Sequence, residues 1–268
     1  MRYSSTPQHH RSSTEPQRNV VQIFPLWFCV VSVTSVVVLG PAVEARDYLV
    51  NQAYETLKRG DVEVELYNDM NFAEADNAGT YNSKHQVELE YGLTNRFQLS
   101  YYEVYTWNRP QDWERDAFKI EAKYRFAEAG KWPLDVALYT EYENPNGPRQ
   151  AHSDVLENKL ILSKTIGRFA AVANVVFEKP LNNGEPWAYE YTAGASFALT
   201  PRTRLGLEVK QGLGDSKEFH FDSTEPLYLI PTITFKPTKH VEVIAGPAFG
   251  LTRVSDDLQL RSIVEVEF

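Results

Sequence analysis

Leu258-Gln259-Leu260-Arg261-Ser262-Ile263-Val264-Glu265-Val266-Glu267-Phe268 is the stretch whose alternation decides the fold. Side chains of a strand point to opposite faces in turn. Leu258, Leu260, Val264, Val266 and Phe268 therefore share one face, and Gln259, Arg261, Glu265 and Glu267 share the other. Ser262 interrupts the apolar face. One side of such a strand suits hydrocarbon and the other suits water. A soluble sandwich could use the pattern, but it would rarely leave an exposed aromatic on the final residue.

The same alternation recurs upstream. Val87, Leu89, Tyr91 and Leu93 oppose Gln86, Glu88 and Glu90. Phe118, Ile120, Ala122, Tyr124 and Phe126 oppose Lys119, Glu121, Lys123 and Arg125. Leu205, Leu207 and Val209 oppose Arg204, Glu208 and Lys210. Lys or Arg facing lipid at the bilayer midplane costs roughly 2–4 kcal/mol, so the charged faces must line a lumen. Twelve such segments are read, at 62–72, 84–93, 96–106, 116–126, 133–143, 154–165, 168–178, 187–199, 202–212, 226–236, 239–251 and 257–268. Their lengths match strands that cross a bilayer at a tilt. Asn158 shares a face with Leu156, Leu160 and Leu162, which would place an amide in lipid unless a bulge intervenes. Only Tyr48 to Leu57 could form a short helix, before the barrel begins.

The links between segments alternate in length. Thr94-Asn95, Ile166-Gly167, Thr200-Pro201 and Pro237-Thr238 are tight, and 127–132 is only slightly longer. The intervening links are mostly longer and polar, as at 73–83, 107–115, 144–153, 179–186 and 213–225. Short turns at one end and long loops at the other are what an up-and-down transmembrane barrel requires. Greek-key connections would not sort loops by parity. Aromatic residues collect near both predicted strand ends, as two interfacial girdles would require.

The first 45 residues read as a signal peptide. Arg2, Arg11 and Arg18 give a positive start, Leu26 to Leu39 is apolar, and Val43-Glu44-Ala45 offers small residues for cleavage. An uncleaved anchor helix is the alternative. Residues 46–60 are expected as a short periplasmic lead-in and 61–268 as the barrel. Cys29 is the single cysteine and lies in the apolar stretch, so neither a disulfide nor a thiolate metal site is expected. A hydrophobic fraction of 43% is too low for a helical membrane protein. A net charge of −9 offers no basic face for nucleic acid.

The charged faces supply the candidate site. Glu88, Glu90, Lys119, Glu121, Lys123, Arg125, Arg204, Glu208, Lys210, Arg261 and Glu265 are expected to line a pore. Opposite charges on neighbouring strands are expected side by side, either along a hydrated, cation-leaning path or in ion pairs that close the lumen. A lipid-hydrolase reading would need a Ser and a His in reach of each other. His152-Ser153 point to opposite faces and would not meet unless the loop folds back. His85 has no evident partner for a metal site. No cofactor or metal motif is found.

Several pieces of the chain resemble bacterial outer-membrane β-barrels of an uncharacterised, transporter-like or porin-like family. They are the lead-in Tyr54-Glu55-Thr56-Leu57-Lys58-Arg59-Gly60, the hairpin Glu88-Leu89-Glu90-Tyr91-Gly92-Leu93-Thr94 and the segment Asp256-Asp257-Leu258-Gln259-Leu260-Arg261. The resemblance implies an all-β, antiparallel transmembrane barrel in the outer membrane, surrounded by its lipids. It also implies that Phe268 is read by the barrel-assembly machinery. The expected function is a passive pore for small hydrophilic solutes. A surface-interaction barrel with a closed lumen comes second and an outer-membrane lipid hydrolase third.

Overall fold

The computed structural model describes residues 48–71, 83–107, 113–146, 153–182 and 184–268. The signal peptide and His152 lie outside the described residues. Twelve strands follow in chain order: β1 (Val62–Asn71), β2 (Ser83–Thr94), β3 (Phe97–Trp107), β4 (Trp113–Arg125), β5 (Asp135–Pro145), β6 (Val155–Ile166), β7 (Phe169–Pro180), β8 (Ala188–Thr200), β9 (Thr203–Asp215), β10 (Leu227–Phe235), β11 (Val241–Gly250) and β12 (Leu258–Glu267). Each pairs antiparallel with its chain neighbours, and β1 pairs with β12, so the sheet closes on itself without an edge. This is the up-and-down barrel that the alternation and loop parity predict.

The pleat sorts the residues as expected. Val87 and Leu89 are 43% and 50% exposed on the outside, while Glu88 between them is 0% exposed. Such an inside-out arrangement is stable only if hydrocarbon surrounds the wall. Trp132, Phe169, Phe197 and Phe235 are exposed at the turn end, and Tyr105, Trp113, Phe177 and Phe249 at the loop end. Tight turns depend on local chemistry. Gly167, between β6 and β7, has φ +60°, a conformation that glycine adopts without steric cost.

Polar residues on the outer face are handled individually. At the loop end, Glu103 accepts two bonds from the Arg115 guanidinium, at 2.6 and 2.9 Å. Lys164 reaches back to the Trp132 carbonyl, 3.1 Å away, in the manner of a snorkelling lysine. No bulge relieves Asn158. The β5–β6–β7 register runs unbroken past it, and its cross-strand neighbours are Thr140 and Phe177. The ladder shifts instead between Gly92 and Thr94, Val104 and Tyr105, Ala188 and Glu190, and Ala198 and Thr200.

One seam of the wall is different. The β10–β11 ladder runs through Leu229↔Phe249 and resumes at Ile233↔Ala245, which places Pro231 opposite Pro247 in the unpaired interval. Leu251 donates its amide to the Leu227 carbonyl across the same seam, so alternate residues from Leu227 onward turn their amides toward β11. Proline has no amide to give, and two bonds are missing at this point.

The lead-in corrects an expectation. Residues 48–57 form no helix and do not stop short of the barrel. They bury Tyr48, Leu49, Asn51, Tyr54 and Leu57 inside it.

Candidate functional site

The lumen is built from alternate residues of all twelve strands. Glu88, Glu90, Glu121, Lys123, Arg204, Glu208 and Glu265 lie buried on the inner face. Glu90, Lys119, Lys123, Lys210, Arg261 and Glu265 border a cavity of about 510 Å³ at the loop-end half. Arg125 turns to the turn-end rim, where its Nε donates to the Asn95 carbonyl at 2.7 Å.

Strand register meets the expected charge alternation only in part: Asp69 stands opposite both Arg261 and Lys84, and Lys119 opposite Glu143, but elsewhere like charges meet. Glu63 stands opposite both Glu90 and Glu267, and Glu65 opposite both Glu88 and Glu265. Glu242 faces Glu265, while Glu121 faces Glu141, which faces Glu157 in turn. Like charges directly opposite are destabilising, and sequence alternation alone cannot show which residues meet. Basic side chains compensate, some from directly opposite and some from neighbouring positions along the strands. Lys119 lies 2.9 Å from Glu141 and 2.8 Å from Glu143, Lys159 lies 2.9 Å from Glu157, and Lys210 lies 2.9 Å from Glu190. Arg261 holds Asp69 at 2.8 Å, and Lys236 pairs with Glu242.

Tyrosine hydroxyls bond three further carboxylates. Tyr67 donates to Glu65 at 2.5 Å or to Glu88 at 3.0 Å, and Tyr102 donates to Glu121 at 2.6 Å. One oxygen each of Glu88 and Glu121 receives no hydrogen bond although both residues are buried. Carboxylate oxygens of Glu63, Glu65 and Glu90, and of Glu88, Glu90 and Glu121, lie within 4.8 Å of one another. This wall is a concentration of negative charge with the oxygen donors that hard cations take.

The lead-in crosses this lumen. Backbone amides of Leu49, Val50 and Asn51 donate to the Glu208 carboxylate at 2.8, 3.0 and 3.2 Å. The Asn51 side chain adds a fourth bond at 2.8 Å. Gln52 is clasped by Asn174, which accepts from its amide at 2.6 Å and donates to its carbonyl at 3.1 Å. Toward the turn end, Leu57 donates its amide to Gln98 at 2.9 Å, and Tyr54 donates its hydroxyl to the Ala127 carbonyl. With its amides bonded to the wall, the segment has no need of helical partners. The wall accommodates it closely, for a Cβ at Gly92 would strike the Lys58 carbonyl. Tyr48, Leu49, Val50, Asn51 and Gln52 border the cavity on one side. Sequence reasoning missed this segment because its partners are remote in the chain: Gln98 lies 41 residues beyond Leu57, and Glu208 lies 159 beyond Leu49.

No family model matches the chain, and no curated protein matches it. Solved structures share the fold. The COG4313 outer membrane channel from Pseudomonas putida F1 is 14% identical with a TM-score of 0.57, covering 80% of this chain and 98% of that one. A KdgM porin in complex with disordered oligogalacturonate is 12% identical with a TM-score of 0.51, covering 77% of this chain and 98% of that one. The NanC porin is 8% identical with a TM-score of 0.50, covering 76% of this chain and 98% of that one.

Proposed function

We propose that this barrel, one of the bacterial outer-membrane type, is a passive pore for small hydrophilic solutes with a preference for cations, its bore limited by the lead-in. A polar cavity of about 510 Å³ inside a closed, lipid-facing wall carries the reading. Ionised walls keep water in a lumen, and rings of carboxylates favour cations over anions. Glu88, Glu90 and Glu121, with Glu63, Glu65 and Glu265 beside them, supply the bias. Lys119, Lys123, Lys210 and Arg261 keep it from becoming a trap. Twelve strands lie between small filled barrels and open sixteen-stranded porins, so a narrow path is expected.

The test is single-channel recording of refolded protein in planar bilayers. Stepwise, cation-selective current that grows when residues 48–59 are deleted supports the reading. A silent membrane in both forms favours the second reading, a surface barrel closed by its ion pairs and lead-in. The four bonds that Glu208 makes to the lead-in favour that alternative.

A further inference from the structure

On the outer face, at the loop end, three polar side chains form a continuous hydrogen-bonded relay. The Ser83 Oγ lies 3.1 Å from Nε2 of His85, and Nδ1 of His85 lies 2.9 Å from Oδ1 of Asn68. The chemistry fixes the protons. An amide oxygen can only accept, so Nδ1 carries the imidazole hydrogen and Nε2 offers its lone pair to the serine hydroxyl. Nδ2 of Asn68 is turned to the Leu66 carbonyl at 3.5 Å, which keeps Oδ1 toward the ring. The ring also packs against Trp113, centroid to centroid at 4.7 Å.

This arrangement follows from the fold. Ser83 and His85 are two residues apart on β2 and share a face, and β1 pairs Asn68 directly with His85. The face is the lipid face, since Val87 and Leu89 continue it. Met70 and Trp107 stand opposite Ser83, and Tyr105 opposite His85. Aromatic residues at a strand end mark the headgroup layer, the depth at which lipid acyl esters lie. Ser83 is only 7% exposed, against 43% for Val87 on the same face, so neighbouring side chains cover it and an ester must enter between them.

We propose that Ser83, His85 and Asn68 form an outward-facing hydrolytic site for the acyl ester of a membrane lipid. A nucleophile, a base within hydrogen-bond reach and a group orienting that base are the parts nucleophilic acyl transfer requires. Ser83 Oγ attacks the ester carbonyl carbon while its proton passes to His85 Nε2. The C–O bond to the lipid alcohol breaks, and the departing oxygen takes that proton. Water then attacks the acyl-serine ester, giving one proton to His85. The fatty acid leaves as the Ser83 oxygen recovers the proton. Asn68 is a positioning residue that holds the tautomer. The site faces away from the lumen and stands whether or not the lumen conducts.

The experiment uses the refolded full chain in mixed micelles of detergent with a diacyl phospholipid, and separately with an ester-acylated glycolipid. Released fatty acid is measured by mass spectrometry. In parallel, a long-chain sulfonyl fluoride is applied and its adduct mapped. Fatty-acid release from either lipid, with an adduct on Ser83, supports the site, and the lipid cleaved identifies the source of the ester. Ser83→Ala should abolish both signals while leaving heat-modifiable gel mobility unchanged. Asn68→Ala should lower kcat and displace the pH profile with little change in KM, and Asn68→Asp should restore it. The absence of both release and adduct in folded wild-type protein overturns the proposal. So does hydrolysis that survives Ser83→Ala.

Discussion

Pro231 of β10 stands opposite Pro247 of β11 at a position where each strand should donate an amide to the other. In an open sheet such residues retreat to an edge. A closed barrel has no edge, so the deficit sits in the middle of a transmembrane wall. On its inner side lies an apolar cluster that includes Leu49, Ile230, Ile244 and Ala248.

Replacing both prolines by valine restores two donors, each worth about 1 kcal/mol before the lost rigidity of proline is subtracted. The Pro231→Val/Pro247→Val protein should unfold at a higher temperature than the wild type, as read from heat-modifiable gel mobility. An unchanged midpoint would mean that the missing bonds carry no net cost.

Glu208→Ala leaves three amides of the lead-in without their acceptor. A buried donor left unsatisfied costs about 1–3 kcal/mol. The lead-in should then be cut by protease at lower doses than in the wild type, and single-channel conductance should rise. Glu208→Gln, which keeps one carbonyl acceptor, should fall between the two.

Glu88→Gln and Glu90→Gln remove charge from the most crowded part of the lumen, where Glu65 faces Glu88 and Glu63 faces Glu90. Under a salt gradient, the reversal potential should move toward zero in each variant. Thermal stability should rise, because like-charge repulsion across the β1–β2 pair is relieved. A potential that does not move would take both residues out of the conducting path.

At the turn end, Glu128 is bonded by the Arg96 guanidinium at 3.0 Å and lies 3.0 Å from Arg125. The Arg96 hydrogen bond, aided by the neighbouring positive charges, holds its carboxyl below the ordinary value of 4.5. A depressed pKa contributes stability that is present above the unfolded value and lost as pH falls through the folded one. Wild-type melting temperature should thus decline below pH 4.5 partly through this residue, and Glu128→Gln should flatten that part of the curve. At neutral pH the substitution should cost less than about 1 kcal/mol, since the pair is largely exposed to solvent.

Leu258 to Phe268 carries its two faces in plain alternation, and tight turns such as Ile166-Gly167 announce themselves by length and by glycine. The barrel was legible for that reason. Charge placement was legible only in part. Alternation assigns Glu63 and Glu90 to the inside, but register decides that they meet. Ser83 and His85 could be seen to share a face, two residues apart, yet Asn68 becomes their neighbour only once β1 and β2 are aligned. Tyr48 to Leu57 was illegible as a lumen segment. It has no periodicity of its own, and its conformation is dictated by Asn174 and Glu208, 122 and 157 residues beyond Gln52 and Asn51.

That separation has a consequence for how the molecule is made. Tyr48 to Leu57 precedes every described strand in the chain, yet Asn174 and Glu208 stand on β7 and β9 and can hold it only once those strands are in place. Contacts so distant in sequence form late, because the intervening chain must first be ordered. The lead-in should therefore be among the last parts of the described chain to find its place, closing its contacts inside a wall that has already formed.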